Sequence, residues 1–92
     1  MYKVRKYYKD RVMSLTHDDG KQAFSVGIIA PGTYEFGAIS DERYKVTSGE
    51  IYCWEEDSDE WKNYSTDEVF TVQSHKNFII KTKEVSSYIC FY

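Results

Sequence analysis

Between Ser25 and Trp54 the sequence SVGIIAPGTYEFGAISDERYKVTSGEIYCW keeps changing character every second residue, with breaks at Pro31-Gly32 and Ser48-Gly49. A period of two puts successive side chains on opposite faces, which a strand satisfies and a helix does not. Val26, Ile28 and Ala30 alternate with Gly27 and Ile29. Thr33-Tyr34-Glu35-Phe36 and Tyr44-Lys45-Val46-Thr47 alternate aromatic or aliphatic with polar residues, and Ser48-Gly49 leads into Glu50-Ile51-Tyr52-Cys53-Trp54. In a Pro-Gly pair the proline presets φ and the glycine accepts a positive φ, so a strand ends there and another begins. The stretch predicts a sheet folded back on itself.

Nothing outside it argues for a helix. Nine tyrosines, five phenylalanines and two tryptophans, with a single proline and the lone leucine Leu15, favour pleated, half-buried surfaces. The 92 residues suffice for one domain, residues 1–92, near the lower limit of what buries a self-sufficient core. A net charge of −3 argues against general nucleic-acid binding. The basic cluster Lys3, Arg5, Lys6, Lys9 and Arg11 and the acidic cluster Glu55, Glu56, Asp57, Asp59 and Glu60 read as solvated surface. No apolar run is long enough for a membrane span and no leader pattern opens the chain, so the expected place is the cytoplasm, without membrane association. Cys53 and Cys90 lack metal or redox spacing and read as buried free thiols.

In chain order, Tyr2 to Tyr8 reads as an edge strand blunted by Lys and Arg. Arg11 to Thr16 continues in strand pattern, and His17-Asp18-Asp19-Gly20 makes a loop or hairpin tip. Glu55 to Glu60 is the tip of a second hairpin; its Asp57-Ser58-Asp59 lacks the glycine and distant glutamate of a calcium loop. Strands at Glu68 to Val72 and Phe78 to Thr82 flank the polar corner 73–77, and Ser87 to Tyr92 is an apolar last strand. Roughly nine or ten short strands at about ten-residue spacing predict an all-β closed barrel or two-sheet jelly roll.

The residues from Ser25 onward also resemble a known family, the small single-domain cupins identified as pyrimidine/purine nucleoside phosphorylases. The resemblance is carried by Ser25-Val26-Gly27-Ile28, Pro31-Gly32, Tyr34, Phe36, Glu42, Val46, Ser48-Gly49, Trp61, Val69-Phe70, Val72, Phe78 and Ser87-Tyr88-Ile89-Cys90 with Tyr92. It implies a cupin-type jelly-roll barrel, phosphorolysis of purine and pyrimidine nucleosides to free base and ribose 1-phosphate, and a homodimer, which a chain this small also favours by burying more surface. Three positions depart from the family pattern: Asp67 stands in a glycine slot, and Gln73 and Glu56 stand in proline slots. Larger cupins bind a metal through histidines and a glutamate. Here the glutamate slot holds Glu42, with six residues between it and Gly49, while the histidine slots fall on Glu35 and Gly37, or Phe36 and Ala38, and on Phe78. The expectation is a pocket without metal or cofactor, phosphate being a co-substrate.

Phosphorolysis needs a phosphate held at the anomeric carbon, stabilisation of positive charge on the ribose, and help for the departing base. Glu42 is the first candidate to face the sugar and Glu35 the second; the plain alternative is that Glu42 pairs with Arg43 or Lys45 at the surface. Phosphate would draw on Arg43, Lys45 or Lys21, with Ser48 and the Gly49 amide nearby. His75 is a candidate proton donor to the base, or simply exposed. Tyr34, Phe36, Tyr44 and Phe78 are candidate stacking surfaces for a base, or core. Two further readings compete: a metal-free cupin that binds a nucleoside- or sugar-like ligand without turnover, and an oligonucleotide-binding barrel, against which the acidic balance speaks.

Overall fold

A computed structural model describes residues 2–92. It contains ten strands: β1 (Tyr2–Tyr7), β2 (Val12–Asp18), β3 (Ala23–Ile29), β4 (Gly32–Gly37), β5 (Glu42–Ser48), β6 (Glu50–Glu55), β7 (Lys62–Ser65), β8 (Val69–Val72), β9 (Asn77–Thr82) and β10 (Ser86–Phe91). Among the described residues no helix is long and apolar enough to cross a membrane. The strands form two antiparallel sheets, a large one in the order β1-β2-β3-β10-β5-β8 and a small one in the order β4-β9-β6-β7. Their inner faces pack as a jelly roll around Val12, Ile29, Val46, Ile51, Phe70, Phe78 and Ile80, all buried.

The strands of the Ser25–Trp54 stretch are present, but they do not fold back onto one another. β3 pairs with β2 and β10, β4 with β9, β5 with β10 and β8, and β6 with β7 and β9. After β3, every connection except β6–β7 carries the chain to the opposite sheet. The two glycine-marked breaks are therefore corners between sheets rather than hairpin turns. At the second corner Gly49 has φ +79°, and a Cβ there would lie 2.3 Å from the Ser86 Oγ and 3.0 Å from the Ser86 Cα. Ser86, fully buried, uses that proximity: its hydroxyl accepts from the Glu50 N–H at 3.2 Å and donates to the Glu50 carbonyl at 3.1 Å.

The basic first strand is an edge strand, as its composition predicts, and it joins β2 through Tyr8, Lys9 and Asp10, all at positive φ. That turn sets Tyr8 against the other sheet. Its ring packs on Tyr34 and Phe36, and its hydroxyl both donates to the Glu35 carbonyl and accepts from the Glu35 N–H at 3.1 Å. Tyr8 thus pairs with the free edge of β4, where an open edge would otherwise invite another strand.

At each of the three departures from the family pattern the backbone N–H is hydrogen-bonded. Asp67 adopts φ +74°, a left-handed conformation natural to glycine. The Gln73 N–H donates to the Glu55 Oε1 at 3.2 Å, and the Glu56 N–H donates to the Asn77 carbonyl at 2.8 Å. Where a proline would offer no donor, this chain adds a hydrogen bond.

Candidate functional site

Alternation decides which side chains reach the space between the sheets. On β5, Glu42, Tyr44 and Val46 face inward, whereas Arg43 and Lys45 face out. On β10, Ser86, Tyr88 and Cys90 face inward, followed by Tyr92, and on β1 Tyr7 does the same. Between the sheets lies a cavity of about 110 Å³. Its aromatic wall is continuous: Tyr7 meets Phe36 edge-on at 5.5 Å, Phe36 meets Phe78 at 5.8 Å, Phe78 meets Tyr44 at 6.1 Å, and Tyr44 meets Tyr88 at 5.2 Å. Gly27, opposite Tyr88, leaves room for that ring, since a Cβ there would fall 2.3 Å from it.

One carboxylate enters this wall. Glu42 is half-buried and accepts a hydrogen bond from the Tyr44 hydroxyl at 2.7 Å. Burial lifts its carboxyl above the ordinary carboxylate range, and the Tyr44 bond opposes that only partly. Burial pushes the Tyr44 and Tyr88 phenols upward, with nearby Cys90 adding to both, and pushes the Cys90 thiol up to about 12. At neutral pH the two phenols and the thiol keep their protons, so the cavity offers hydroxyl groups around a single carboxyl group.

At the end of the cavity beside Glu42, hydroxyls follow one another across neighbouring strands. The Thr16 Oγ1 lies 2.8 Å from the Ser25 Oγ, which lies 2.6 Å from the Tyr92 hydroxyl. Glu42 and Tyr92 also border an outer cleft of about 490 Å³.

Of the sequence candidates, Glu42, Phe36, Tyr44 and Phe78 come together at the cavity. The others lie elsewhere. Tyr34 is buried, with its hydroxyl donating to the Ala30 carbonyl at 2.8 Å and accepting from the Arg11 Nε–H at 3.2 Å, a corner-building role. Glu35 faces outward on β4 and Arg43 faces outward on β5, its guanidinium over the Phe91 ring at 5.2 Å. Ser48 is exposed and bonds Ser87 at 2.7 Å. His75 sits on the exposed turn between β8 and β9 at φ +64°, its N–H donating to the Ala38 carbonyl at 2.8 Å. Sequence reasoning missed Tyr7, Ser14, Tyr88, Cys90 and Tyr92 as cavity residues. For the last strand the signal was present, since Ser86, Tyr88, Cys90 and Tyr92 recur at a period of two.

Of the positions that metal ligands of larger cupins would take, Glu42, Phe36, Gly37 and Phe78 line this cavity, with Phe36 and Phe78 ring to ring, whereas Glu35 faces outward. Among the described residues no three His, Cys, Asp or Glu side chains converge. One carboxylate and one thiol of raised pKa do not fit a resident zinc, iron or nickel ion, whose sites draw on imidazole or thiolate.

The two-sheet barrel with its inter-sheet cavity is the architecture of the cupins. A cupin superfamily protein from Desulfitobacterium hafniense superposes with a TM-score of 0.74 over 97% of this chain and 80% of its own, at 18% identity. Within that class, the pyrimidine/purine nucleoside phosphorylase family pattern matches residues 2–92, and the chain belongs to that family. The pyrimidine/purine nucleoside phosphorylase of Pseudomonas syringae pv. syringae is 34% identical, and that of Aliivibrio fischeri 30%, each over all of this chain and 99% of the relative. A protein of unknown function from Vibrio parahaemolyticus has a solved structure with a TM-score of 0.95 and 32% identity, covering 100% of this chain and 98% of the other.

Proposed function

We propose that this protein is a cytoplasmic nucleoside phosphorylase of broad base specificity that works without a metal or cofactor. The observation that carries the reading is the conjunction of family membership with one half-buried carboxylate, Glu42, in an aromatic cavity. Phosphate attacks the anomeric carbon of the ribose. The C1′–N bond breaks, its electron pair leaves with the base, and a new C1′–O bond gives ribose 1-phosphate. Positive charge that develops on the sugar meets Glu42, as carboxylates meet it in glycoside hydrolysis. Tyr44 orients that carboxylate through the 2.7 Å hydrogen bond. The outer cleft beside the cavity presents the Phe91 and Tyr92 rings, and a base stacked there can be purine or pyrimidine, because stacking requires only a flat ring.

Purified protein incubated with phosphate and inosine, guanosine, adenosine, uridine, cytidine or thymidine is expected to release several bases together with the sugar phosphate, unaffected by a chelator. Chromatography of both products checks this. One observation favours a second reading, a binding protein for a single sugar-like ring. A cavity of about 150 Å³ takes a benzene ring, and this cavity of about 110 Å³ is no larger than that, too small for a whole nucleoside. In phosphorolysis the ribose would occupy the cavity and the base would project into the outer cleft that shares Glu42 and Tyr92. Nucleosides that raise the melting temperature yet release no base at high protein concentration would favour the binding reading.

The functional unit is proposed to be a homodimer joined through the outer face of the large sheet. There Val4, Leu15 and Val26 lie in one row across β1, β2 and β3, with Ile89 continuing it on β10, and Met13 and Ile28 lie in the next. Ile28 is 59% and Val4 55% exposed. The outer face of the small sheet contrasts with it, since Lys81 covers Trp61 at 4.7 Å and Tyr52 at 5.4 Å. An uncovered aliphatic face running across four strands of so small a chain suits a flat, self-complementary contact.

A further inference from the structure

The inner face of the large sheet continues past the cavity onto β1, where it carries two cations. Arg5 lies opposite Ser14, and Lys3 lies opposite Thr16, in the antiparallel register of β1 and β2. Paired residues share a face of the sheet, and Ser14 and Tyr7 of that face line the cavity. Lys3 and Arg5 therefore stand on the concave side, unlike Lys6, which alternates to the convex side with Met13. Both are exposed. Next to them comes the hydroxyl chain: Thr16 at 2.8 Å from Ser25, and Ser25 at 2.6 Å from Tyr92. Ser25 is only 2% exposed, so its hydroxyl is fixed in place by its two partners.

We propose that this cluster, Lys3 and Arg5 with the hydroxyls of Thr16, Ser25 and Tyr92, is the subsite that takes inorganic phosphate. Phosphate oxygens accept charge-assisted hydrogen bonds from guanidinium and ammonium groups, and the hydroxyl chain, which spends two of its three protons on the bonds within it, has one O–H left to donate. The layout across the sheet agrees with the chemistry. β3, which carries Ser25, lies two strand spacings from β5, which carries Glu42. That is about 10 Å at ~4.8 Å per strand, room for one sugar ring between the anion and the carboxylate. The cations lie at the end of the row away from Glu42, and Tyr92, which shares a cleft with Glu42, is the member of the cluster nearest that carboxylate. Arg43 and Lys45 face away from the cavity and do not serve this site.

The assignment rests on the phosphorolysis reading for its use in turnover, while its binding is testable alone. Amide resonances of the isotopically labelled full chain are followed by NMR as inorganic phosphate is added, against chloride at matched ionic strength. Saturable shifts are expected around Thr16, Ser25 and Tyr92. Loss of a charge-assisted hydrogen bond is worth about 1.5–3 kcal/mol, so Arg5→Gln should weaken phosphate binding roughly 10- to 100-fold. Lys3→Gln combined with it should remove saturation, and Glu42→Gln should retain it. In turnover, Arg5→Gln should raise the phosphate KM by about the same factor and leave the nucleoside KM unchanged. Phosphate binding that depends on Arg5 and Lys3 in a protein that turns over no nucleoside would keep the subsite and remove the phosphorylase reading. Phosphorolysis with an unaltered phosphate KM in the double variant, or phosphate shifts confined to Lys81 and Lys83, would overturn the subsite and leave that reading standing.

Discussion

In the proposed phosphorolysis Glu42 is held between two opposing demands. Facing a sugar that develops positive charge requires an ionised carboxylate, yet half-burial disfavours that ionisation and raises its pKa. A carboxyl with a raised folded pKa binds its proton more tightly in the native state than in the unfolded one. Its contribution to stability is therefore fully present at low pH and falls as pH climbs from the ordinary carboxylate value through the higher folded value. The Glu42→Gln variant should gain melting temperature on the natural protein at pH 7, with the gap closing towards pH 4 in a calorimetric series. Its turnover should drop about 100-fold, the scale for removing one electrostatic group aimed at a transition state. At Gly49 the constraint is steric. With φ +79° and the Ser86 Cα 3.0 Å from any added Cβ, Gly49→Ala should destabilise by about 2 kcal/mol or more, read from urea unfolding.

Strands here are organised by what protects their edges and what their faces meet. β4 is an edge strand of the small sheet, and Tyr8 of the first hairpin satisfies the Glu35 amide and carbonyl there. Tyr8→Phe keeps the ring contacts with Tyr34 and Phe36 and removes only the hydroxyl. A loss of about 1 kcal/mol, or roughly 4–8 °C in melting temperature, is expected, together with faster amide exchange at Glu35. β10 has the opposite problem, a central strand with apolar residues on both faces. It pairs with β3 and β5 on either side, so the last residues of the chain close the large sheet. Cys90 on its inner face is buried, with its thiol pushed up to about 12, and should resist alkylation at pH 8 until the protein is unfolded.

The two sheets differ in what they show to solvent, and that difference bears on assembly. Lysine side chains cover the outer aromatics of the small sheet, while Val4, Val26 and Ile28 on the large sheet have no such cover. The chain of 10.9 kDa is expected to behave in light scattering as a species of twice that mass. Replacing Ile28, 59% exposed, by glutamate should shift it to the single-chain mass without unfolding it, because two buried charges facing each other across a two-fold axis repel. A natural protein that scatters as a single chain would remove the proposed interface.

Much of this architecture was written in local patterns. Alternation around Tyr34, Val46, Ile51 and Phe70 marks strands because the side-chain period of a strand is a property of the backbone, and those four residues are buried or lie on the inner face as that period requires. Glu42, Phe36, Tyr44 and Phe78 were legible as pocket candidates from spacing and family resemblance. Pairing was not legible, because hydrogen bonds between strands join residues far apart in sequence. Nothing near Gly49 reveals that its neighbour is Ser86, and nothing near Tyr8 reveals Glu35. The same limit governed Arg43, Ser48 and His75, whose residue types suit phosphate or base but whose placement away from the cavity depends on which face each strand turns inward. Tyr7, Tyr88 and Tyr92 joined the site only once the first and last strands were packed beside β2 and β5. Local sequence determined the strands and their corners, and the long-range pairing of the sheets determined which side chains meet.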